Sequence, residues 1–472
     1  MATVTNSDVP SIPTKIEIVD RLTARSAKVT TTYGLSDQVT LLQHDSTFAS
    51  LIGEAPSHAL LFSTAGTTNN PFFHEACVLL PDHDELYITS NLLQATSSAN
   101  FPTILISRIK LHRNEDGSIK SAEWAKLRPP PGIDMPNGGV NYQDGILFCA
   151  QGNTSAGSGG IYYMPRSSPP KPLVTNFHGR EFNSVNDVVV AKDGSIWFTD
   201  PCYGWEQDFR PKPKLPCQVY RFNPITGDLR VVADGFGRPN GIAFSVDESI
   251  VYVTDTDQIH GDGTKDLMRS ATIYAFDIHT SSDAPFLINR RIFAHAADGF
   301  PDGIKCDVYG NVYSGCGDGV EVWNSAGTLI GTILVPGGVA NFCFGKDGEI
   351  FFNNETLERQ YHSDHSRPQT TYASSQNNHK VNDIESQYSG NDAQKSQPQS
   401  SDIYKGDDNN DQNKKMWQCL PIARSEDLES GKLACYFYNQ EDVEICRHCR
   451  EGKVKQGRSW LEALKHMFGS RG

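Results

Sequence analysis

The chain has 472 residues, with 42 Lys+Arg against 56 Asp+Glu and a formal net charge of −14. An acidic balance without a basic patch excludes a duplex nucleic acid partner held by phosphate neutralisation, and no stretch of about eighteen apolar residues predicts a membrane span. The opening MATVTNSDVPSIPTKIEIVDRL has no apolar signal core, so the expectation is a soluble, cytoplasmic protein, and eleven scattered cysteines predict buried or free thiols instead of a disulfide framework.

Residues 1–38 read as an N-terminal arm, and VTLLQHDSTFASLIG at 39–53 can supply an outer strand. Farther along, one phrase recurs: a turn, then an aliphatic residue, then aromatic or apolar residues. It appears as DHDELYIT around Leu86, YQDGILFC around Ile146, KDGSIWFT around Ile196, VDESIVYVT around Ile250, DVYGNVYS around Val312 and KDGEIFFN around Ile350. These anchors lie roughly 50 residues apart, the period of four-stranded propeller blades. Runs are short, rich in Val, Ile, Tyr and Phe, and bounded by Gly, Pro, Asn and Asp, which predicts strands and turns. The expected fold is all-β, a six-bladed β-propeller over 39–358. LERQYHSDHSRPQ, after the last hairpin, is a poor strand, so the sixth blade is expected to be short of one.

About ten residues before each anchor stand Glu75, Asn137, Asn186, Asn240, Asp302 and the pair Ala340–Asn341, each followed by a short apolar strand. Innermost strands line a propeller's channel, so equivalent positions point at one axis. Glu75, Asn186, Asn240 and Asp302 together offer two carboxylates and two amide carbonyls, an all-oxygen set suited to a hard cation such as calcium. The ion would relieve the repulsion between the acids. The competing reading is local: Asn and Asp at strand starts make turns and bind their own backbone.

Other chemistry has little support. There is no GxSxG elbow, HEACV lacks the second histidine of HExxH, and GNTSAGSGG lacks the GK[ST] ending of a phosphate loop. His74, His178, His260 and His295 are candidate proton carriers, each equally readable as a packed or solvated histidine. Cys202 and Cys217 bracket CYGWEQDFRPKPKLPC, which reads as a rim loop able to clip itself in an oxidising setting, or as an ordinary connector.

The C-terminal portion differs in composition. Residues 359–415, dominated by Ser, Gln, Asn, Asp and Lys, are expected to form a disordered low-complexity linker. In the small segment 416–472, Ser459 with Glu462 makes a capping box ahead of the apolar stripe Trp460, Leu461, Leu464, Met467 and Phe468, which predicts a short helix. Cys419, Cys435, Cys446 and Cys449 contain a single CxxC and read either as a zinc site or as free thiols.

Five segments, HEACVLLPDHDELYITSN, FNSVNDVVVAKDGSIWFTDPCYG, DFRPKPKLPCQVYRFNP, GRPNGIAFSVDESIVYVTDTD and FPDGIKCDVYGNVYSGCGDGVEVW, cover roughly residues 70–355. In order and spacing they resemble the senescence marker protein, gluconolactonase and regucalcin-like family of six-bladed propeller lactonases, and within it the fungal lactonohydrolase-like branch. The resemblance implies a divalent cation, usually calcium, in the channel cleft, with ligands matching Glu75 of HEA, Asn186 of VND, Asn240 of PNG and Asp302 of PDG. It also implies hydrolysis of small cyclic esters such as aldonolactones, with substrate beside Asn186 and Asn240. Asp302 is then the first choice as base or water-orienting group and Asp187 the second, although strand alternation aims Asp187 away from the channel. Asp255, Asp257 and His178 are candidates for the substrate rim, with turn formation as the other reading of the two aspartates. Ser184 stands where animal members carry an arginine that contacts substrate, which weakens the implied sugar-lactone preference. Two further readings stand beside the lactonase: a non-catalytic propeller binding calcium or a partner, and a strictosidine-synthase-like propeller.

Overall fold

The computed structural model describes residues 3–20, 39–64, 72–93, 102–282, 284–346, 348–354, 420–421, 435–439 and 442–445. The chain divides into two units, Met1–Thr371 and Tyr372–Gly472. In the first unit every copy of the repeated phrase is the second strand of an antiparallel hairpin. Glu85–Thr89 pairs with Glu75–Leu80, Gly145–Ala150 with Pro136–Tyr142, and Ile196–Asp200 with Val188–Val190. Ile250–Asp255 pairs with Pro239–Phe244, Val312–Cys316 with Ile304–Cys306, and Ile350–Asn353 with Asn341–Phe344. The turns are chemically specified: in KDGS, Asp193 Oδ1 accepts from Ser195 N (2.8 Å) while Gly194 takes φ 80°, a conformation glycine adopts without strain.

Two more strands extend each of the first five hairpins into a blade. They are Ile106–Arg113 and Ile119–Leu127, then Gly160–Pro165 and Lys171–Val174, then Gln218–Phe222 and Leu229–Ala233. Thr272–Ser281 with Ala284–His295, and Gly319–Trp323 with Leu329–Leu334, complete the fourth and fifth. The expectation of six blades is corrected here: among the described residues five blades have four or more strands, and the sixth position holds only the two-stranded hairpin. The residues following Asn354 that would have to continue it lack the apolar alternation of a strand.

The segment expected to add an outer strand does so next door. Thr40–Gln43 extends the fifth blade along Leu329–Leu334, with Lys15–Ile18 parallel beside it, and the chain then turns into the helix Ser46–Ile52, whose Asp45 cap accepts from Thr47 N (3.0 Å). On the other flank Thr3–Asn6 edges the first blade along Ile119–Leu127. A cavity of about 680 Å³ between these flanks is lined by Leu41, Phe62, Phe72, Ile333 and Phe351.

Strand alternation explains the core. Along Gly145–Ala150, Ile146 and Phe148 pack towards the first blade with Val78 and Tyr87, whereas Leu147 and Cys149 pack towards the third with Val188 and Phe198. Trp197 with Val253, and Tyr252 with Ile304, fill the next two seams. Two more close the circle: Val322 with Phe342 between fifth blade and hairpin, and Cys77, Leu79 and Trp124 with Cys343 and Phe351 between hairpin and first blade.

In the second unit, Leu420–Pro421, Cys435–Asn439 and Asp442–Ile445 form a three-stranded sheet. The expected linker, the helix around Trp460, and Cys419, Cys446 and Cys449 lie outside the described residues. The seven described cysteines whose state is defined, Cys77, Cys149, Cys202, Cys217, Cys306, Cys316 and Cys343, are free thiols. No described helix is long and apolar enough to cross a membrane.

Candidate functional site

The inner strands begin at one ring, and hydrogen bonds between successive blades hold it. Thr89 Oγ1 donates to Asn137 O (3.0 Å), Gly138 N to Asn186 O (2.8 Å) and Thr199 Oγ1 to Asn240 O (2.6 Å). Thr254 Oγ1 donates to Asp302 O (2.9 Å), Gly303 N to Ala340 O (2.9 Å) and Asn353 Nδ2 to Glu75 O (3.2 Å). The backbone of every ring residue is thereby fixed by a neighbouring blade, and the hairpin at the sixth position completes the circuit. Glycine follows three ring residues because no side chain fits: a Cβ on Gly138 would lie 2.4 Å from Asn186 O, and one on Gly241 2.4 Å from Asp302 O.

All four predicted ligands sit on this ring. Glu75, Asn186 and Asn240 are buried and Asp302 is half-buried. Glu75 Oε2 accepts from Asn341 Nδ2 (2.7 Å). Its carboxyl is held well above the usual range, first by burial and then by the charge of Asp302 and, more weakly, Asp187, with the Asn341 hydrogen bond and Lys305 opposing. The side-chain oxygens of Asn137 and Asn186 are buried with no hydrogen-bond donor. Among the described residues no three His, Cys, Asp or Glu side chains gather as a metal site, so any cation here would rely on amide oxygens beside two carboxylates.

Asp187 does other work. Its Oδ1 accepts from Val188 N (2.8 Å) and its Oδ2 from Ile242 N (3.1 Å), which ties the third blade to the fourth. Burial raises its pKa, opposed by Lys305 and those two N–H groups. Asp255 accepts from Arg238 N (2.8 Å) and Gly237 N (3.2 Å) just ahead of Asn240. Asp200 and Glu321 repeat this device. Asp200 binds Asn183 N and Ser184 N ahead of Asn186, and Glu321 binds Ala297 N and Asp298 N ahead of Asp302. Burial pushes Asp200 up to about 7 against those hydrogen bonds, and burial followed by Asp318 pushes Glu321 to about 8. Asp257 pairs with Arg238, which also grips Glu206 (Nε to Oε2, 3.1 Å).

His178 is exposed at the tip of the hairpin Asn176–Phe177/Arg180–Glu181 with φ 50° and its ring against Phe177, outside the ring cluster. His260 lies in the loop after Asp255, and His295 Nδ1 pairs with Ala296 O (2.9 Å). His74 adjoins Glu75, its N–H bonded to Thr89 O (2.9 Å).

The segment between Cys202 and Cys217 is a rim element that reaches the ring. It carries the short helix Tyr203–Glu206 and is anchored by Arg210, which is buried and donates to Asn183 O (3.0 Å), Asn153 O (2.7 Å) and Phe182 O (2.6 Å). Ser184 Oγ donates to Pro201 O (2.9 Å) and accepts from Gly204 N (3.0 Å), so it positions this element. Cys202 and burial push the Cys217 thiol pKa up, and Cys202 Sγ lies 3.3 Å from Glu206 Oε1. Tyr203 hydrogen-bonds Thr256; burial, followed by the charge of Asp302, pushes its hydroxyl pKa up. Sequence reasoning missed Tyr203 and Lys305, and also Asn341 as the prop for Glu75. The bracing hydroxyls had a visible signal, the Thr closing ELYIT, IWFT and VYVT.

A family model described as SMP-30/Gluconolactonase/LRE-like region matches residues 104–352. The chain is 30% identical over 327 residues to the lactonohydrolase oryL of Aspergillus oryzae, covering 64% of this chain and 69% of that protein. It is 31% identical over 218 residues to a gluconolactonase of Zymomonas mobilis, covering 44% and 57%. A solved gluconolactonase from Xanthomonas campestris superposes with a TM-score of 0.50 at 27% identity, covering 66% of this chain and 92% of that one.

Proposed function

The chain belongs to the SMP-30/gluconolactonase/LRE-like family, and from that premise we propose that it hydrolyses a small lactone at the ring, with a divalent cation, calcium by the chemistry of the donors, held by Glu75, Asn186, Asn240 and Asp302. The observation that carries the reading is the buried Asn186 side-chain oxygen with no donor, set on a ring where Asp302 and Asp187 raise the pKa of Glu75. Leaving such an acceptor unsatisfied costs about 1–3 kcal/mol. A hard cation satisfies it and relieves the repulsion between the carboxylates. The lactonohydrolase and gluconolactonase relatives support the lactone as substrate class.

A bound calcium ion would supply Lewis-acid polarisation of the ester carbonyl. The ring's backbone hydrogen bonds hold the donors in place beforehand, so little reorganisation accompanies reaction. Asp302 accepts a proton from water as it adds to the carbonyl carbon, then returns it to the alkoxide as the ring C–O bond breaks, giving a hydroxy acid. Glu75 is the poorer base for this step because it is more deeply buried and its Oε2 is taken by Asn341. Asp187 has both oxygens committed to backbone and serves as a brace. Ser184 is buried with its hydroxyl committed to Pro201 O and Gly204 N, so it holds the rim element in place.

The test is hydrolysis of a panel containing δ-gluconolactone and unsubstituted lactones by chelator-stripped protein, with and without added calcium. Calcium restores turnover, and Asp302→Asn lowers it by about 10²- to 10⁴-fold. Turnover indifferent to chelation and to Asp302→Asn overturns the reading, and calcium binding without turnover assigns the protein to the non-catalytic class.

A further inference from the structure

The seam between the sixth-position hairpin and the first blade holds two thiols face to face. Strand alternation decides this from both sides. Along Asn341–Phe344, Phe342 turns to the fifth blade and Cys343 to the first. Along Glu75–Leu80, Ala76 and Val78 turn to the second blade, whereas Cys77 and Leu79 turn to the hairpin. Cys77 and Cys343 are both buried, and their Sγ atoms lie 3.6 Å apart, with Cys77 Sγ also 3.5 Å from Phe351 O. Two residues earlier on the same strands, Asn341 Nδ2 donates to Glu75 Oε2 (2.7 Å), so the two strands meet at successive steps of one face. Both cysteines are free thiols.

We propose that Cys77 and Cys343 form a redox latch, which on oxidation to a disulfide closes the circle of blades covalently at the seam between hairpin and first blade. Bonded sulfurs lie about 2 Å apart, and rotation about the two Cα–Cβ bonds can take up the difference. The oxidant is a small organic disulfide. One cysteine thiolate attacks it and expels a thiolate, and the other attacks the resulting mixed disulfide and expels the second. Two S–H bonds are lost and one S–S bond is gained, while the organic disulfide takes up both electrons and both protons as two thiols. Buried thiols are inert, so the exchange takes place while the seam is open, and the finished bond then holds it shut. The partners are 266 positions apart in sequence, and long loops are where a disulfide restricts the unfolded chain most. The position with only two strands among the described residues thereby gains a staple.

The experiment incubates the full chain with oxidised glutathione in urea below its unfolding midpoint, removes both, alkylates the remaining thiols and maps the peptides. A peptide pair joined through Cys77 and Cys343 is expected, and the oxidised protein melts roughly 4–10 °C above the reduced form. The rise is lost in Cys343→Ser and kept in Cys202→Ser, which separates this pair from the rim thiols. Cys77 and Cys343 recovered as alkylated thiols, or carrying only glutathione, overturn the proposal. So does a joined pair without a rise in melting temperature, because the bond then holds nothing together. The mapping needs wild type alone, so it decides the matter whether or not Cys343→Ser folds.

Discussion

The third, fourth and fifth blades and the hairpin at the sixth position do the same geometric job with different amounts of chain. Each of the three blades has four strands of its own and brings an oxygen donor, Asn186, Asn240 or Asp302, to the ring. The hairpin has two strands and brings Ala340, which has no side-chain donor, with Asn341 turned onto Glu75. Yet Gly303 N to Ala340 O (2.9 Å) matches Gly138 N to Asn186 O (2.8 Å), and Asn353 Nδ2 to Glu75 O (3.2 Å) closes the circuit with an amide where complete blades use a threonine hydroxyl. The ring therefore depends on inner hairpins and the seams between them, while outer strands serve to cover edges.

The largest effects come from testing the seams. Phe198, between the second and third blades, and Phe342, between the fifth blade and the hairpin, are both fully buried. Phe198→Ala and Phe342→Ala should each cost about 3–5 kcal/mol in denaturant unfolding. A cost for Phe342→Ala far below that of Phe198→Ala would break the equivalence of hairpin and blade. Next is Asn341→Ala, which removes the hydrogen bond to Glu75. Loss of a bond to a charged group is worth about 1.5–3 kcal/mol, so calcium affinity, measured by calorimetry, should fall by an order of magnitude or more. Unchanged affinity would leave the hairpin a purely architectural element.

The smallest effect tests, through pH, two carboxylate braces that belong to complete blades. Asp200 and Glu321 titrate near 7 and 8 in the folded protein, above the range of unfolded carboxylates near 4. The folded state thus binds these protons more tightly than the unfolded chain does. Their stabilising contribution is fully present below about pH 4, is lost as pH rises through 7 to 8, and levels off above that. Melting temperature should decline between pH 5.5 and 8.5, and Asp200→Asn should flatten part of the decline. A slope unaffected by Asp200→Asn would mean that its carboxylate is already ionised at neutral pH.

The hairpins were legible because their signals are local: an Asp-Gly turn between runs such as VVV and IWF specifies strand, turn and strand within fifteen residues or so. The ring followed from the repeat, since Glu75, Asn186, Asn240 and Asp302 recur at one phase of it. What was missed depends on bonds between distant stretches. Whether Asp187 faces water or Ile242 N, and whether Asp255 contacts substrate or holds Arg238 N, is set by a neighbouring blade, and nothing in VND or VTD distinguishes the two. Tyr203 escaped notice because CYGWEQDFRPKPKLPC has no periodicity, so its direction is fixed only by Arg210, Ser184 and Glu206. Of the 39–53 segment, expected to supply an outer strand, only Thr40–Gln43 does so, on the fifth blade, while Ser46–Ile52 is a helix whose Asp45 cap gave the local signal.

The pairing of Thr40–Gln43 with Leu329–Leu334, and of Thr3–Asn6 with Ile119–Leu127, sets a timetable for biosynthesis. During translation these two segments emerge from the ribosome before their partners exist, and the strand at 40–43 must wait until residue 334 has been made. Contacts of such long sequence separation form slowly, and an unsatisfied β-edge is prone to stray association. Yield in a heterologous host should therefore respond to chaperone supply and to slower growth at low temperature.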